Sequence, residues 1–173
     1  MLVNFYFIYI QSMDEIELDA IDLKLLDLLQ TDAARSNQAL ADLAHISPPT
    51  CLRRVKRLRE WGVIEREVAL LSVDKLAPLL GHGLTALVEI TLDRQGAEHA
   101  GAFEAKVVAD PAVQQCYRVS PGPDFCLIVG VRDMPDYLAL AQRLFTQDAN
   151  VRNVKAFFSV KCAKFAPRVE LTR

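Results

Sequence analysis

The sequence predicts an α+β chain in two parts, an N-terminal winged helix-turn-helix followed by a ferredoxin-like βαββαβ sandwich. Three observations carry this. Leu18, Ile21, Leu25 and Leu28 recur at helical spacing. A Ser-Pro pair, Ser47-Pro48, opens a strongly basic stretch. From residue 84 onward, strand-like and helical segments alternate in the order β-α-β-β-α-β. The chain has 173 residues, of which 51% are hydrophobic. Its mean hydropathy is +0.15, ample for a buried core, so global disorder is excluded.

The first helix is expected over about 19–30, with Asp19 as its cap and Asp22 as a first-turn acid. Ser36 can cap a second helix over 37–44, with Leu40, Leu43 and Ala44 facing inward. His45-Ile46 makes a turn. Ser47 then caps a third helix, with Pro48 at its first position, where a missing N–H costs nothing. That helix runs to about Trp61 and stops at Gly62, a residue suited to a left-handed cap. Val63, Ile64, Val68, Ala69, Leu70 and Leu71 follow as a β-type patch fit for a small wing.

The proline and glycines of DKLAPLLGHG break the pattern and place a linker at 74–83. Beyond it, strands are expected at 84–92, 113–120 and 124–131, the last two joined by a tight Pro-Gly-Pro turn. Helices are expected at 97–110 and, capped by Asp133, over MPDYLALAQRLFTQ; a long strand closes the fold at 151–165. The domains are therefore a leader at 1–12, the winged helix-turn-helix at 13–73, the linker at 74–83, the sandwich at 84–165 and a tail at 166–173. The leader, MLVNFYFIYIQS, lacks the basic start and cleavage site of a signal peptide, and its apolar run is too short to span a bilayer. The favoured reading is that translation starts at Met13; an added strand or a floppy tail are the alternatives.

The formal net charge of −2 argues against a partner recognised through overall positive field. Its distribution argues otherwise. Seven acids lie between Asp14 and Asp32 against Lys24 alone, whereas Arg53, Arg54, Lys56, Arg57 and Arg59 occur with no acid among them. At about 100° per residue, Cys51, Leu52, Val55 and Leu58 fall on one side of the third helix. Pro49, Thr50, Arg53 and Arg57 fall opposite, with Arg54 and Lys56 on the flanks. Short polar residues followed by arginines suit a helix inserted into the major groove, where arginine reads guanine and bridges phosphates. Ser47 and the first-turn N–H groups suit a phosphate. A purely solvated basic face is the competing reading. Acids on the first helix would repel DNA and discourage the wrong face from docking.

Four cysteines, Cys51, Cys116, Cys126 and Cys162, show no CxxC pair and no histidine at metal-ligand spacing, which reads as reduced, mostly buried thiols with no metal. No nucleophile–base pair, phosphate loop or paired-carboxylate site stands out, so no catalytic residue and no cofactor is expected.

The L-D-x-x-D-x-x-L-L opening, the S-x-x-x-L-A of the second helix, the S-x-x-x-C-x-R-R-V-x-R-L core and the G-V-I after it resemble the leucine-responsive/asparagine regulator (Lrp/AsnC) family. With the βαββαβ region as the family's RAM-type ligand-binding domain, the resemblance covers about 14–170. It implies a cytoplasmic, nucleoid-associated bacterial transcription regulator that binds double-stranded DNA and answers to a small metabolite, commonly an amino acid. It implies no membrane, dimerisation through the C-terminal sheets and assembly to larger rings, often octamers. Ser47, Pro49, Thr50, Arg53, Arg54 and Arg57 fall within the matching DNA-reading motif.

The family's effector loop, Thr/Ser-Gly-x-x-Asp-Tyr/Phe, is matched by Ser120, Asp124 and Phe125, but Pro121 replaces the glycine, which has moved to Gly122. Both prolines lack N–H groups that would bind an effector carboxylate. A rigid hairpin without ligand is the alternative there. Two other functions compete. One is tetrapyrrole decarboxylation by proteins of this architecture, which use histidine and arginine; residues 100–173 hold no histidine. The other is architectural coating of DNA without sequence choice.

Overall fold

The computed structural model describes residues 16–81, 83–94 and 96–171. The leader at 1–12 lies outside them. Two compact units are present, one made of the described residues through Ala69 together with those from Ala166, the other of Leu70–Phe165.

In the first unit, helix α1 spans Ala20–Thr31, α2 Asn37–Ala44 and α3 Pro48–Glu60. Each begins where a side chain or proline prepares it. Asp19 and Asp22 form a reciprocal capping box on α1, and Ser36 accepts the Ala39 N–H on α2. The turn after α2 puts His45 in the left-handed region at φ 57°, and the Ile46 N–H closes back on the Ala41 carbonyl at 3.0 Å. Gly62, at φ +70°, follows α3 as expected. Leu25, Leu29, Leu40, Ala41, Ala44, Cys51 and Val55 form the core, with Ile21, Leu28, Ile46 and Ile64 against it.

Two expected inward residues face out. Leu43 is 44% exposed and Leu52 58% exposed. Cys51, Val55 and Leu58 already fill the buried stripe of α3, and Leu52 lies outside it. The wing does not form as strands: residues 65–72 have no regular structure, and Val68, Leu70 and Leu71 are exposed. Among the described residues this segment has no antiparallel neighbour to complete its backbone bonds.

The second unit opens with α4, Val73–Leu80, where the sequence suggested a linker. Ser72 caps it, accepting the Lys75 N–H at 3.4 Å, and Gly81 ends it at φ +68°. The apparent breakers are thus a tolerated interior proline, Pro78, and a left-handed cap. Then come β1 Leu84–Leu92, α5 Ala97–Val108, β2 Val113–Arg118, β3 Phe125–Val131, α6 Met134–Ala141 and β4 Val151–Phe158.

The strands form one antiparallel sheet in the order β2-β3-β1-β4. Ala86, Val88, Ile90 and Leu92 alternate inward on β1, and Phe125, Leu127, Val129 and Val131 on β3. They pack against Ala100, Phe103 and Val107 of α5 and Tyr137 and Leu140 of α6. After α6 the chain widens into a π-helical turn, Gln142–Thr146, which buries the consecutive Leu144 and Phe145. The Lys106 ammonium donates to the Leu144 carbonyl at 2.8 Å. β4 is shorter than expected and ends at Phe158. Phe158 pairs with Ala86, and a last bond from the Ser159 N–H to the Thr85 carbonyl closes the ladder. All four thiols are free, but only Cys51 is buried and Cys162 is exposed.

Candidate nucleic-acid interface

The first turn of α3 is built from Ser47, Pro48, Pro49 and Thr50. Asn37 of α2 donates to the Pro48 carbonyl at 2.9 Å, which sets the start of α3 against α2. Ser47 makes no side-chain cap; its hydroxyl pairs with that of Thr50 at 2.8 Å. The two prolines bring no N–H groups, and the Cys51 N–H is bonded to the Ser47 carbonyl at 2.9 Å. The anion site expected from the first-turn amides is therefore reduced to the Thr50 N–H with the two hydroxyls.

Along α3, Pro49, Leu52, Arg53, Lys56 and Glu60 are exposed, a stripe at helical spacing. Lys56 lies 3.6 Å from Glu60 and Arg59 2.6 Å from Glu67, both on the surface. Arg53 makes no ion pair among the described residues. It is the free cation of the outward face.

Arg54 and Arg57 differ from Arg53. The Arg54 guanidinium donates through Nη1 to Asp19 at 2.7 Å and to Asp22 at 2.9 Å. Arg57 donates through Nη2 to Asp22 at 2.7 Å, and its guanidinium lies 4.5 Å from the centre of the Trp61 ring. Asp22 is fully buried, while the Arg54 and Arg57 side chains are 17% and 33% exposed. The backbone N–H of Asp22, then Arg54, hold the Asp19 carboxyl below the ordinary carboxylate range, and Asp19 pushes Arg54 further up. The acids of α1, expected to repel DNA, thus serve two of them as counterions to α3. Sequence spacing grouped three arginines; burial separates one from two. The cap at Asp19 and the first-turn acid at Asp22 are visible in sequence; their use as counterions across the helix pair is not.

The 120–125 loop lies in the other unit. Ser120 and Gly122 are exposed, the Ser120-Pro121 peptide is cis, and Gly122 has φ +118°. Asp124 ties the loop to β1: its N–H donates to the Ile90 carbonyl at 2.8 Å and its carboxylate accepts the Leu92 N–H at 2.7 Å. Phe125 is fully buried, its ring 5.1 Å from that of Phe103. The exposed part of the loop is therefore Ser120 to Gly122, while Asp124 and Phe125 anchor it. Among the described residues, no group of His, Cys, Asp and Glu side chains is arranged to hold a metal ion, and no helix is long and apolar enough to cross a membrane.

Comparison with known proteins agrees with this geometry. Residues 18–59 match the AsnC-type helix-turn-helix domain, and residues 85–169 the Lrp/AsnC ligand binding domain. A leucine-responsive regulatory protein of Rhizobium meliloti is 35% identical over 156 residues, covering 90% of this chain and 97% of the relative. An AsnC family transcriptional regulator from Agrobacterium tumefaciens superposes with a TM-score of 0.79 at 30% identity, covering 89% of this chain and 97% of its own. A Neisseria meningitidis transcriptional regulator solved in complex with L-Met has the same TM-score, 0.79, at 26% identity, covering 90% and 97% of the two chains. A helix-turn-helix with a basic outward face, joined to this four-stranded domain and matched over both parts, places the chain in the Lrp/AsnC family of DNA-binding transcription regulators.

Proposed function

We propose that this regulator reads its operator with the outward face of α3, and that an amino acid bound at the 120–125 loop modulates it. The single observation that supports the first half is Arg53, an exposed guanidinium that makes no ion pair among the described residues and lies one turn after a polar helix start. An arginine so placed reaches base edges and can donate two bonds to guanine. Ser47, Pro49 and Thr50 lie where the helix would meet the groove floor and flanking phosphates. Arg54 and Arg57 set the helix in place from behind. A symmetric homodimer would present two such helices about one DNA turn apart, on a partly palindromic site, and dimers would assemble further, to an octamer. The protein would act in the cytoplasm, on the nucleoid.

Support for an amino-acid effector comes from the neighbour solved with L-Met and from the exposed Ser120 hydroxyl beside Gly122. With prolines at 121 and 123, such a ligand would be held by side chains and the few remaining amides. Neither a decarboxylase nor a coat without sequence choice has comparable support.

A gel-shift on duplexes selected from a randomised pool by the wild-type protein tests the reading. Arg53→Ala is expected to weaken binding by about 1–3 kcal/mol, and one amino acid of a full panel to shift the wild-type curve. Equal affinity of Arg53→Ala and wild type at physiological salt would remove α3 as the reading element.

A further inference from the structure

Five cations between positions 53 and 59 would attract any duplex, since each phosphate contact adds sequence-independent affinity. The structure disposes of them unequally. Arg59 and Lys56 sit in exposed pairs with Glu67 and Glu60, which exchange readily for phosphate. Arg54 and Arg57 share a carboxylate that is fully buried. Lifting either guanidinium toward DNA would leave Asp22 with less compensation for its charge away from water, a far costlier exchange. Asp19 holds Arg54 from a second side, and the Trp61 ring holds Arg57. The Nε atoms of both arginines are buried without a hydrogen-bond partner among the described residues, so that edge of each guanidinium is turned into the protein.

We propose that Asp22, assisted by Asp19, is a specificity-determining positioning residue: it locks Arg54 and Arg57 onto α1 and withholds them from the DNA backbone. This rests on the reading of α3 as the groove helix. The lock lowers non-specific affinity and leaves discrimination to Arg53 and the first turn. It also lets a near-neutral chain carry a dense basic helix without binding DNA indiscriminately.

The test is binding of the full-length protein to a random-sequence duplex by fluorescence anisotropy from 50 to 200 mM salt, with circular dichroism to confirm folding. Asp22→Asn leaves a neutral side chain of the same shape and removes the carboxylate the two arginines share, so that only Asp19 still holds Arg54 and only the Trp61 ring Arg57. The slope of log affinity against log salt is expected to steepen by about 1–2 per reading helix, with roughly tenfold tighter binding at 50 mM for each arginine released. Asp19→Asn preserves the helix cap, because asparagine caps as well as aspartate, and should shift both readouts the same way by a smaller amount. Arg54→Gln should leave the wild-type slope unchanged, since that arginine is already withheld.

A folded Asp22→Asn protein with an unchanged or shallower slope would overturn the proposal, as would an Arg54→Gln slope reduced as far as that of Arg53→Gln. If Asp22→Asn does not fold, Asp19→Asn decides by the same criterion. Failure of the groove-helix reading looks different: there, Arg53→Gln alters neither specific nor random-duplex binding.

Discussion

Asp124 lies at the junction of the candidate effector loop and the sheet, so its replacement separates two roles. Its carboxylate accepts the Leu92 N–H at 2.7 Å, at the end of β1 where the pairing with β4 shifts register between Thr91 and Leu92. Leu92 is buried, so no solvent replaces a lost acceptor. The Asp124 backbone bonds, from its N–H to Ile90 and from the Val119 N–H to its carbonyl, do not involve the side chain. Asp124→Ala therefore removes one charge-assisted bond and strands one amide, a loss of about 2 kcal/mol. In a unit of this size that lowers the melting midpoint by roughly 8–16 °C. Asp124→Asn keeps an acceptor and should lose about half as much or less. Thermal unfolding followed by circular dichroism, with and without the amino acid that shifts DNA binding, reads both roles together. A midpoint for Asp124→Ala within 1 °C of wild type would refute the anchoring role. If ligand-induced stabilisation alone were lost, the carboxylate would be an effector ligand.

His45 occupies the left-handed region at φ 57°, so His45→Gly should stabilise the first unit by about 0.5 kcal/mol after the entropy glycine adds to the unfolded chain. A higher urea midpoint at unchanged slope is the expected record, and a lower midpoint would contradict it. Burial raises the Asp148 carboxyl, but the Lys106 ammonium and the Asn150 N–H outweigh it, and the net shift is downward. A depressed carboxylate stabilises the fold above its unfolded value, near pH 4, and that contribution is lost as pH falls through the folded value. Asp148→Asn should therefore be less stable at neutral pH and lose less between pH 5 and pH 2. Urea unfolding across that range checks it, and a curve parallel to wild type would count against the Lys106 pairing.

Where the helices of the first unit begin is legible in the residues alone. Cap, proline and glycine signals at Asp19, Ser36, Ser47-Pro48 and Gly62 act within one turn and need no distant partner. The βαββαβ order is legible there too, because period-two and helical patterns are local. What the residues alone could not determine depends on neighbours. Val63 to Leu71 has strand composition but pairs with no strand among the described residues, and β4 stops at Phe158, opposite Ala86. Pro78 and Gly81 read as a break, yet a Ser72 cap and a left-handed end make them parts of a helix. The clearest case is α3. Angular spacing put Arg53 and Arg57 on one face, but only packing against α1 revealed that a buried carboxylate claims Arg54 and Arg57, while Arg53 finds no such partner among the described residues. Charge along a chain is a property of sequence. Which charges face solvent is decided by what is buried beside them, and burial exists only once the helices meet.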